Sequence, residues 1–213
     1  MAATADVEFR KPTADEEQLL ALPLGLDVDF AYVPVDNPIT TDKIELGRAL
    51  YFDTRLSNDD SIACATCHNP KLGFTAAQPV SLGIGALKGG RSAPTVINRI
   101  FSKEQFWDGR AASLEEQAKG PITNPIEMGV PTHDVVVEKL NGIRGYRELF
   151  NRVFGTNATI DGVAKAIATF ERTVVSGNSA FERQEDAIEG SMTDAQIRGL
   201  EIFKNKARCT QCH

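Results

Sequence analysis

The sequence has few of the residues that bind metals or cofactors. Its 213 residues include four cysteines, three histidines and one tryptophan. No apolar run reaches the roughly 20 residues that a transmembrane helix needs, and no run of alternating polarity predicts an extended sheet. Acidic residues outnumber basic ones, 29 to 23, and the net charge of −6 argues against nucleic acid as a partner.

All four cysteines fall in two copies of one short pattern. The pattern is two cysteines separated by two residues and followed at once by histidine, and its copies are Cys64, Cys67 and His68, and Cys209, Cys212 and His213. This spacing is the attachment pattern of c-type haem. Each thiol adds to one vinyl group of the porphyrin, and the histidine then lies under the iron. We therefore predict two covalently bound c-type haems, with His68 and His213 as proximal iron ligands.

Two other chemistries use paired cysteines. A thioredoxin-like redox pair does not require a following histidine and opens a helix after a strand, whereas no strand-like run precedes either motif. A four-cysteine zinc site needs the two pairs close together and leaves the repeated histidine without a reason. Haem attachment accounts for both features, and the zinc and dithiol readings stay as alternatives.

A similar segment precedes each haem motif. In each, a predicted capping box (Asp42 with Glu45, and Thr193 with Gln196) opens a helix that carries a glycine and an aliphatic–aromatic pair: Gly47, Leu50 and Tyr51, and Gly199, Ile202 and Phe203. Glycine permits close helix approach, and the apolar pair would pack on the haem. We interpret this as an internal repeat. The predicted fold is mainly α, with two tandem cytochrome c-like haem domains.

This repeat also divides the chain. Residues 1–37 are polar and then rich in proline, which predicts an extended N-terminal arm. Residues 38–175 are predicted to form the first haem domain, and residues 176–213 the start of the second, with Ser176–Ser179 as a linker. Because the sequence stops at His213, we expect that the second domain is truncated and that its remainder is not in this sequence.

Short helices are predicted between the haem motifs, after a long loop over residues 69–112. They begin at a Ser113–Glu116 capping box and include Thr132–Leu140, Arg144–Phe154 closed by Gly155, and the apolar face of Ile160–Ala168, with Pro121 and Pro125 predicted to break the first of them. The N-terminus lacks a signal-peptide pattern. Because c-type haem is attached outside the cytoplasm, we expect a mature periplasmic protein whose leader has been replaced.

Three signatures lie in order between the two motifs. They are Arg91-Ser92-Ala93-Pro94-Thr95, Phe106-Trp107-Asp108-Gly109-Arg110, and the stretch from Glu116 to Gly129 that contains Asn124-Pro125-Ile126-Glu127. Together with the haem motifs they resemble the bacterial di-haem cytochrome c peroxidase and MauG superfamily over roughly residues 38–213.

The resemblance implies a division of labour between the haems. The first haem meets hydrogen peroxide, and the second takes electrons from a small donor protein, a cytochrome c or a copper protein, or stores an oxidising equivalent. Trp107 matches the tryptophan that relays electrons between the haems. Arg91 and Arg110 are candidates for pairing with haem propionates, with solvated arginines as the alternative. A homodimer is one assembly that the resemblance suggests.

Glu127, Gln117 and Pro121 match residues of the family's peroxide pocket. Breaking an O–O bond requires a proton to move from the near oxygen to the leaving one. A carboxyl in an apolar haem pocket has a raised pKa, so Glu127 can take and return that proton near neutral pH. Gln117 can orient peroxide without changing charge. On residue type alone, Glu127 would be a solvated loop residue and Pro121 a helix stop.

Three positions bear on where this chain departs from the pattern. Many peroxidases of the family carry a histidine that ligates the first iron until the second haem is reduced, and Ile84 stands at that position. The remaining histidine, His133, is predicted to lie near a helix cap and not on iron. The family also holds a calcium ion partly through an asparagine, where Ser92 is a weaker ligand, so a calcium site at Ser92 stays open. We therefore expect the first haem to be five-coordinate, with no reductive activation.

The function favoured by these observations is reduction of hydrogen peroxide at the first haem, with electrons relayed from the second. A MauG-like alternative would store two oxidising equivalents on the haems, in a bis-ferryl state, and modify aromatic residues of a partner protein. A third alternative is a non-catalytic di-haem electron-transfer cytochrome, in which Glu127 and Gln117 would be incidental.

Overall fold

The computed structural model describes residues 7–212, which divide into two compact units. The first unit contains residues 7–21 and 28–175, and the second contains residues 22–27 and 176–212. Both units are mainly helical, as predicted, and the described part of the chain has nine α-helices and a single pair of two-residue strands. None of the helices in this part is both long enough and apolar enough to span a membrane.

The first unit carries seven helices and the strand pair. The helices are α1 (Ala14–Leu20), α2 (Thr41–Tyr51), α3 (Cys64–Cys67), α4 (Leu114–Thr123), α5 (His133–Gly142), α6 (Arg144–Phe154) and α7 (Ile160–Arg172), and the antiparallel strands are β1 (Phe9–Arg10) and β2 (Val33–Pro34). Short 3₁₀ turns interrupt the long connection between α3 and α4, which is otherwise irregular, as its Gly and Pro content predicts.

The core of the first unit forms where α2 crosses α7. A Cβ atom at Gly47 would lie 1.9 Å from the carbonyl oxygen of Ala166, so only glycine permits this approach. Leu46 and Leu50 are fully buried in the same contact. The ring of Tyr51 lies 5.1 Å from that of Phe170. The predicted close approach at Gly47 is therefore confirmed.

Several helix boundaries differ from the prediction. Helix α2 is capped by Thr40, whose hydroxyl accepts a hydrogen bond from the Lys43 amide, so the predicted Asp42–Glu45 capping box is wrong. Helix α4 continues through Pro121 to Thr123, because only the following Asn124 leaves the helical conformation. Residues 7–37 are also more regular than an extended arm, since they contain α1, both strands and a 3₁₀ turn at Val28–Phe30.

The second unit is built on α8 (Ala180–Glu185) and α9 (Asp194–Glu201). The Thr193–Gln196 capping box is confirmed at the start of α9. Helix α9 runs into a π-helical turn, Ile202–Lys206, and a 3₁₀ turn, Cys209–Gln211. The Asn178 amide donates to the Leu24 carbonyl at 2.8 Å, which ties residues 22–27 to this unit. A Cβ at Gly199 would meet nothing within 4 Å, so this glycine lacks the close contact of Gly47 among the described residues.

Candidate haem and peroxide site

The first haem motif occupies a single helical turn. Cys64 and Cys67 begin and end α3, and the His68 amide closes the turn by donating to the Cys64 carbonyl at 2.9 Å. Burial raises the pKa of the Cys64 thiol to about 12 and also raises that of Cys67. Both sulfur atoms are therefore neutral thiols placed one helical turn apart, which is the spacing that addition to two vinyl groups requires.

The His68 ring is oriented by a backbone carbonyl. Its Nδ1 atom lies 3.0 Å from the carbonyl oxygen of Pro94, and a carbonyl can only accept, so Nδ1 carries the proton. The other ring nitrogen, Nε2, then has a free lone pair for a metal. Burial lowers the pKa of His68, which favours this neutral form. The Tyr51 hydroxyl donates to the His68 carbonyl at 3.1 Å and holds the backbone of the ligand from the side of α2.

The surroundings of these residues fit a haem group. Ser81 has a buried hydroxyl oxygen, next to the Cys67 thiol, that forms no hydrogen bond of regular geometry with the described residues. Apolar side chains of the same unit are also left uncovered, among them Phe52, Leu72, Leu82 and Ile126. A porphyrin attached at Cys64 and Cys67 and ligated by His68 would use the donor set that c-type haem requires.

Glu127 lies in a tight turn that follows α4. Asn124 holds this turn with both ends of its side chain: its Oδ1 accepts from the Ile126 amide at 3.0 Å, and its Nδ2 donates to a Glu127 carboxylate oxygen at 3.0 Å. Burial raises the pKa of Glu127, and the charge of Arg110 offsets part of that rise. The carboxylate of Glu127 in turn contributes to the raised pKa of Cys67, so the two groups lie within electrostatic reach.

Gln117 and Pro121 share one face of α4, because they are four residues apart. The Pro121 carbonyl accepts from the Met128 amide at 3.2 Å, which brings α4 directly against the Glu127 turn. Pro121 has no amide hydrogen, so it leaves the Gln117 carbonyl without its usual partner in the helix. The structure therefore brings Pro121 and Glu127 onto adjoining elements, with Gln117 one helical turn away.

Arg91 and Arg110 are joined through one carboxylate. Asp108 accepts from Arg110 at 2.7 Å and from Arg91 at 3.1 Å. The Arg110 guanidinium also lies over the Phe106 ring, 3.5 Å from its centroid. These hydrogen bonds lower the pKa of Asp108, which stays ionised. The two arginines thus form one exposed cationic group around Asp108.

Trp107 stands at the tip of this loop, with its side chain 99% exposed. The loop is closed at its base by the bridge between Gln105 and Ala111, and Gln105 is buried. Trp107 is therefore not part of the core of the first unit. Its predicted role as an electron relay depends on the two haems between which it would carry electrons, and that role stays a prediction.

The structure describes all three of the positions at which a departure from the family pattern was considered, Ile84, His133 and Ser92. The Ile84 side chain lies against Gly129, and a Cβ at Gly129 would be 3.0 Å from Ile84 Cδ1. His133 is half-buried, and its Nε2 bonds to the Lys119 carbonyl at 3.0 Å. Ser92 is exposed, and the described part of the chain contains no group of three or more His, Cys, Asp and Glu side chains that could hold a metal ion.

The second haem motif is described only in part. Cys209 is half-buried at the start of a 3₁₀ turn, and Cys212 follows that turn and is exposed. His213, the predicted ligand of the second iron, lies outside the described residues.

Sequence reasoning missed two residues that shape the site. Pro94 acts through its backbone carbonyl, which no side-chain pattern reports. The role of Asn124 could have been predicted, because asparagine before proline favours a hydrogen bond from the amide two residues on to the asparagine side chain. The structure contains this bond, from the Ile126 amide to Asn124 Oδ1.

Comparison with known proteins identifies the family to which this chain is similar. A family model for di-haem cytochrome c peroxidase matches residues 41–188. The methylamine utilization protein MauG of Methylorubrum extorquens is 43% identical over 182 residues, 84% of this chain and 51% of that protein. The cytochrome c peroxidase Ccp of Escherichia coli K12 is 39% identical over 181 residues, 85% of this chain and 39% of that protein.

A solved structure shares the fold. The crystal structure of a MauG-like protein associated with microbial copper homeostasis aligns with a TM-score of 0.78 and 31% identity, over 85% of this chain and 54% of that one. This chain thus spans about half the length of the relatives it matches. The family match covers the first haem motif, the Glu127 turn and the loop of Trp107 alike, and the chain belongs to the family of di-haem cytochrome c peroxidases and MauG proteins.

Proposed function

We propose that this chain carries the peroxide-reducing site of a di-haem peroxidase. In the net reaction, hydrogen peroxide takes up two electrons and two protons, its O–O bond breaks, and each oxygen leaves as water. The observation that supports this most directly is the half-buried Glu127 carboxyl, which has a raised pKa and lies within electrostatic reach of Cys67. A carboxyl that titrates nearer to neutral pH can both accept and return a proton.

The haem supplies, when bound, the iron at which peroxide is cleaved. Cys64 and Cys67 would hold it covalently, and His68 would ligate it through Nε2. Glu127 takes the proton from the near oxygen and delivers it to the leaving oxygen. Gln117 orients peroxide by hydrogen bonding without changing its own charge, and Pro121 would line the same pocket.

The cationic group of Arg91 and Arg110 would bind the haem propionates. Asp108 holds the two guanidinium groups near one another, and a guanidinium group can bind a carboxylate through two hydrogen bonds. Electrons would come from a small donor protein, a cytochrome c or a copper protein, through a second haem held by Cys209, Cys212 and His213. Trp107 would relay them, and its exposure leaves the indole available for such a contact. We place the protein in the periplasm because c-type haem is attached outside the cytoplasm.

Mixing the ferric, haem-loaded protein with hydrogen peroxide tests the proposal. The expected result is a fast change in the spectrum of the first haem and sustained peroxide consumption when a reduced small cytochrome or copper protein is present. An unchanged spectrum would contradict the proposal and favour the electron-transfer cytochrome.

A MauG-type oxidase is a second candidate, because a MauG protein is 43% identical to this chain over 182 residues. Because isoleucine cannot bind iron, the first site would be open without reduction of the second haem, and peroxide could oxidise the resting protein directly. An oxidised spectrum that persists with small donors, and decays on adding a protein with accessible aromatic residues, would select this candidate over the peroxidase.

A further inference from the structure

A small hairpin connects the haem attachment site to the Glu127 turn. This 81–89 hairpin is closed by hydrogen bonds from the Gly83 amide to the Leu87 carbonyl and from the Gly89 amide to the Ser81 carbonyl, both at 2.9 Å. Leu82 and Lys88 pair across it as an antiparallel bridge. These bonds make the hairpin a hydrogen-bonded element within the long loop, so a shift at one of its ends would move the other end.

The backbone of the hairpin bonds directly to Glu127. The Ile84 amide donates to the Glu127 carbonyl at 2.8 Å. The preceding residue is pressed onto the same turn, because a Cβ at Gly83 would lie 1.9 Å from the Ile126 carbonyl oxygen. Gly83 has a φ of −96°, which any residue can adopt, so glycine is required here for the close approach alone.

The side chain of Ile84 completes this contact. It covers the Cα of Gly129, where an added Cβ would be 3.0 Å from Cδ1 and 3.1 Å from Cγ2 of Ile84. Gly129 has a φ of +67° and ends the turn through its amide, which donates to the Asn124 carbonyl at 2.9 Å. The turn is thus held by Asn124 from within and by Ile84 from outside.

The other end of the hairpin lies at the haem attachment site. The Leu82 carbonyl oxygen is 4.0 Å from Cys67 Sγ, and the buried Ser81 hydroxyl lies next to the same thiol. The hairpin therefore contacts both Cys67, whose sulfur would attach the porphyrin, and the backbone of Glu127.

We infer that Gly83 and Ile84 are positioning residues that set the distance between the anchored haem and the Glu127 carboxyl. This inference rests on the proposed function of Glu127. In this role, the side chain of Ile84 braces the turn that carries Glu127, the residue proposed to move the proton. A displacement of about 1 Å in such a group can cost roughly 10²-fold in rate, so a brace with two anchored ends has a measurable effect.

Truncation of the brace tests this directly. Ile84→Ala keeps the amide donor and removes the contact with Gly129, whereas Ile84→Val keeps the part of that contact made by Cγ2 and loses the part made by Cδ1. Leu87→Ala is the matched control, because Leu87 lies in the same hairpin with its side chain half exposed. In the haem-loaded protein, hydrogen exchange of the amides in residues 127–130 should speed up several-fold in Ile84→Ala, return towards normal in Ile84→Val, and stay unchanged in Leu87→Ala. Unchanged exchange in Ile84→Ala would overturn the inference.

A kinetic cycle with Glu127→Gln separates the inference from the proposed function. Ile84→Ala should slow the peroxide-induced spectral change roughly tenfold, and it should add no further loss in a Glu127→Gln background. Additive losses would mean that the hairpin acts on some other group, and the positioning role would fall. If Glu127→Gln alone leaves the rate unchanged while hydrogen exchange still responds to Ile84→Ala, the proposed acid–base function fails and the brace on the turn remains.

Discussion

The Nδ1 atom of His68 donates a hydrogen bond to the carbonyl oxygen of Pro94, 3.0 Å away. This bond sets the ring tautomer, so Nε2 is the nitrogen that would bind the haem iron. The carbonyl belongs to the Arg91–Thr95 signature, which therefore has a structural reason to follow the first haem motif. Whether the first iron would have a second protein ligand then depends on which other side chains could reach it.

The first haem is expected to be five-coordinate and high-spin in the ferric protein. By the resemblance to the family, Ile84 is predicted to occupy the position of a ligating histidine, and its side chain lies against Gly129. His133 lies at the start of α5, where its Nε2 bonds to the Lys119 carbonyl, and it is predicted not to be an iron ligand. Electron paramagnetic resonance of the resting protein should show a high-spin signal that is present without reductant. A low-spin bis-histidine spectrum for the first haem would contradict this.

Glu127→Gln should slow the reaction with peroxide by ~10²–10⁴-fold, the usual worth of general acid–base help. Because burial raises the pKa of Glu127, the wild-type rate should fall as pH decreases through that raised pKa, where the carboxylate becomes protonated and can no longer accept a proton. The variant has no such group, and its rate should be flat over the same range.

Stopped-flow spectroscopy over a series of pH values measures both effects. Glu138→Gln is the matched control, since Glu138 is exposed on α5, and it should leave rate and pH profile unchanged. A pH profile of the same shape in Glu127→Gln would show that another group moves the proton.

Features of the fold that depend on a local sequence pattern could be predicted from the sequence alone. Helix α6 has its predicted bounds, Arg144–Phe154, and the left-handed Gly155 ends it as expected. The haem motif, the Glu127 stretch and the Gly47 contact could also be recognised in the sequence, because each depends on particular residue types at short spacings. Thr40 was missed as the cap of α2 because Asp42 offers the same chemistry two residues later, and only tertiary packing chooses between them.

Contacts made by backbone atoms could not be predicted. The Pro94 carbonyl and the Ile84 amide have no signature in residue type, yet they orient His68 and hold the Glu127 turn. Tyr51 was expected to pack on the haem, and its hydroxyl bond to the His68 carbonyl is a polar addition that an apolar pattern does not reveal.

Glu171 should make stability fall with rising pH. It lies near the end of α7, only 6% exposed, and burial raises its pKa to about 8, with Glu115 adding to the rise and Arg172 and Arg99 opposing it. The folded protein therefore holds a proton on Glu171 that the unfolded chain releases above its ordinary pKa of 4.5. The stabilisation is complete below that value and is lost as pH increases towards 8.

Denaturant unfolding at several pH values tests this with Glu171→Gln. Between the two pKa values the wild type should lose up to about 1.4 kcal/mol per pH unit relative to the variant, the limit for one proton. The difference between the two proteins cancels other titrating groups, such as Lys43. Parallel stability curves for the two proteins would mean that Glu171 does not retain its proton on folding.

Gly47→Ala should destabilise the first unit by about 1–3 kcal/mol or more, because its Cβ would meet the backbone oxygen of Ala166 at 1.9 Å and the two helices must separate. Gly145→Ala is the opposite case. Gly145 lies in α6 with nothing within 4 Å of an added Cβ, so alanine should stabilise by roughly 0.5–1 kcal/mol through helix propensity. Urea unfolding of both variants measures the contrast. Equal effects would show that α2 and α7 are not in the close contact described.

Trp107→Phe should separate electron relay from folding. With the side chain 99% exposed, the substitution removes no packing within the described chain, and the free energy of unfolding should change by no more than about 0.5 kcal/mol. If the indole relays electrons, peroxide turnover with a reduced donor protein should slow, whereas the first reaction of the ferric protein with peroxide should keep its rate. Leu87→Ala, another exposed apolar residue of the same unit, should leave both rates unchanged. Turnover equal to the wild type would assign the relay to another path, and a slower first reaction would place Trp107 in the peroxide step instead.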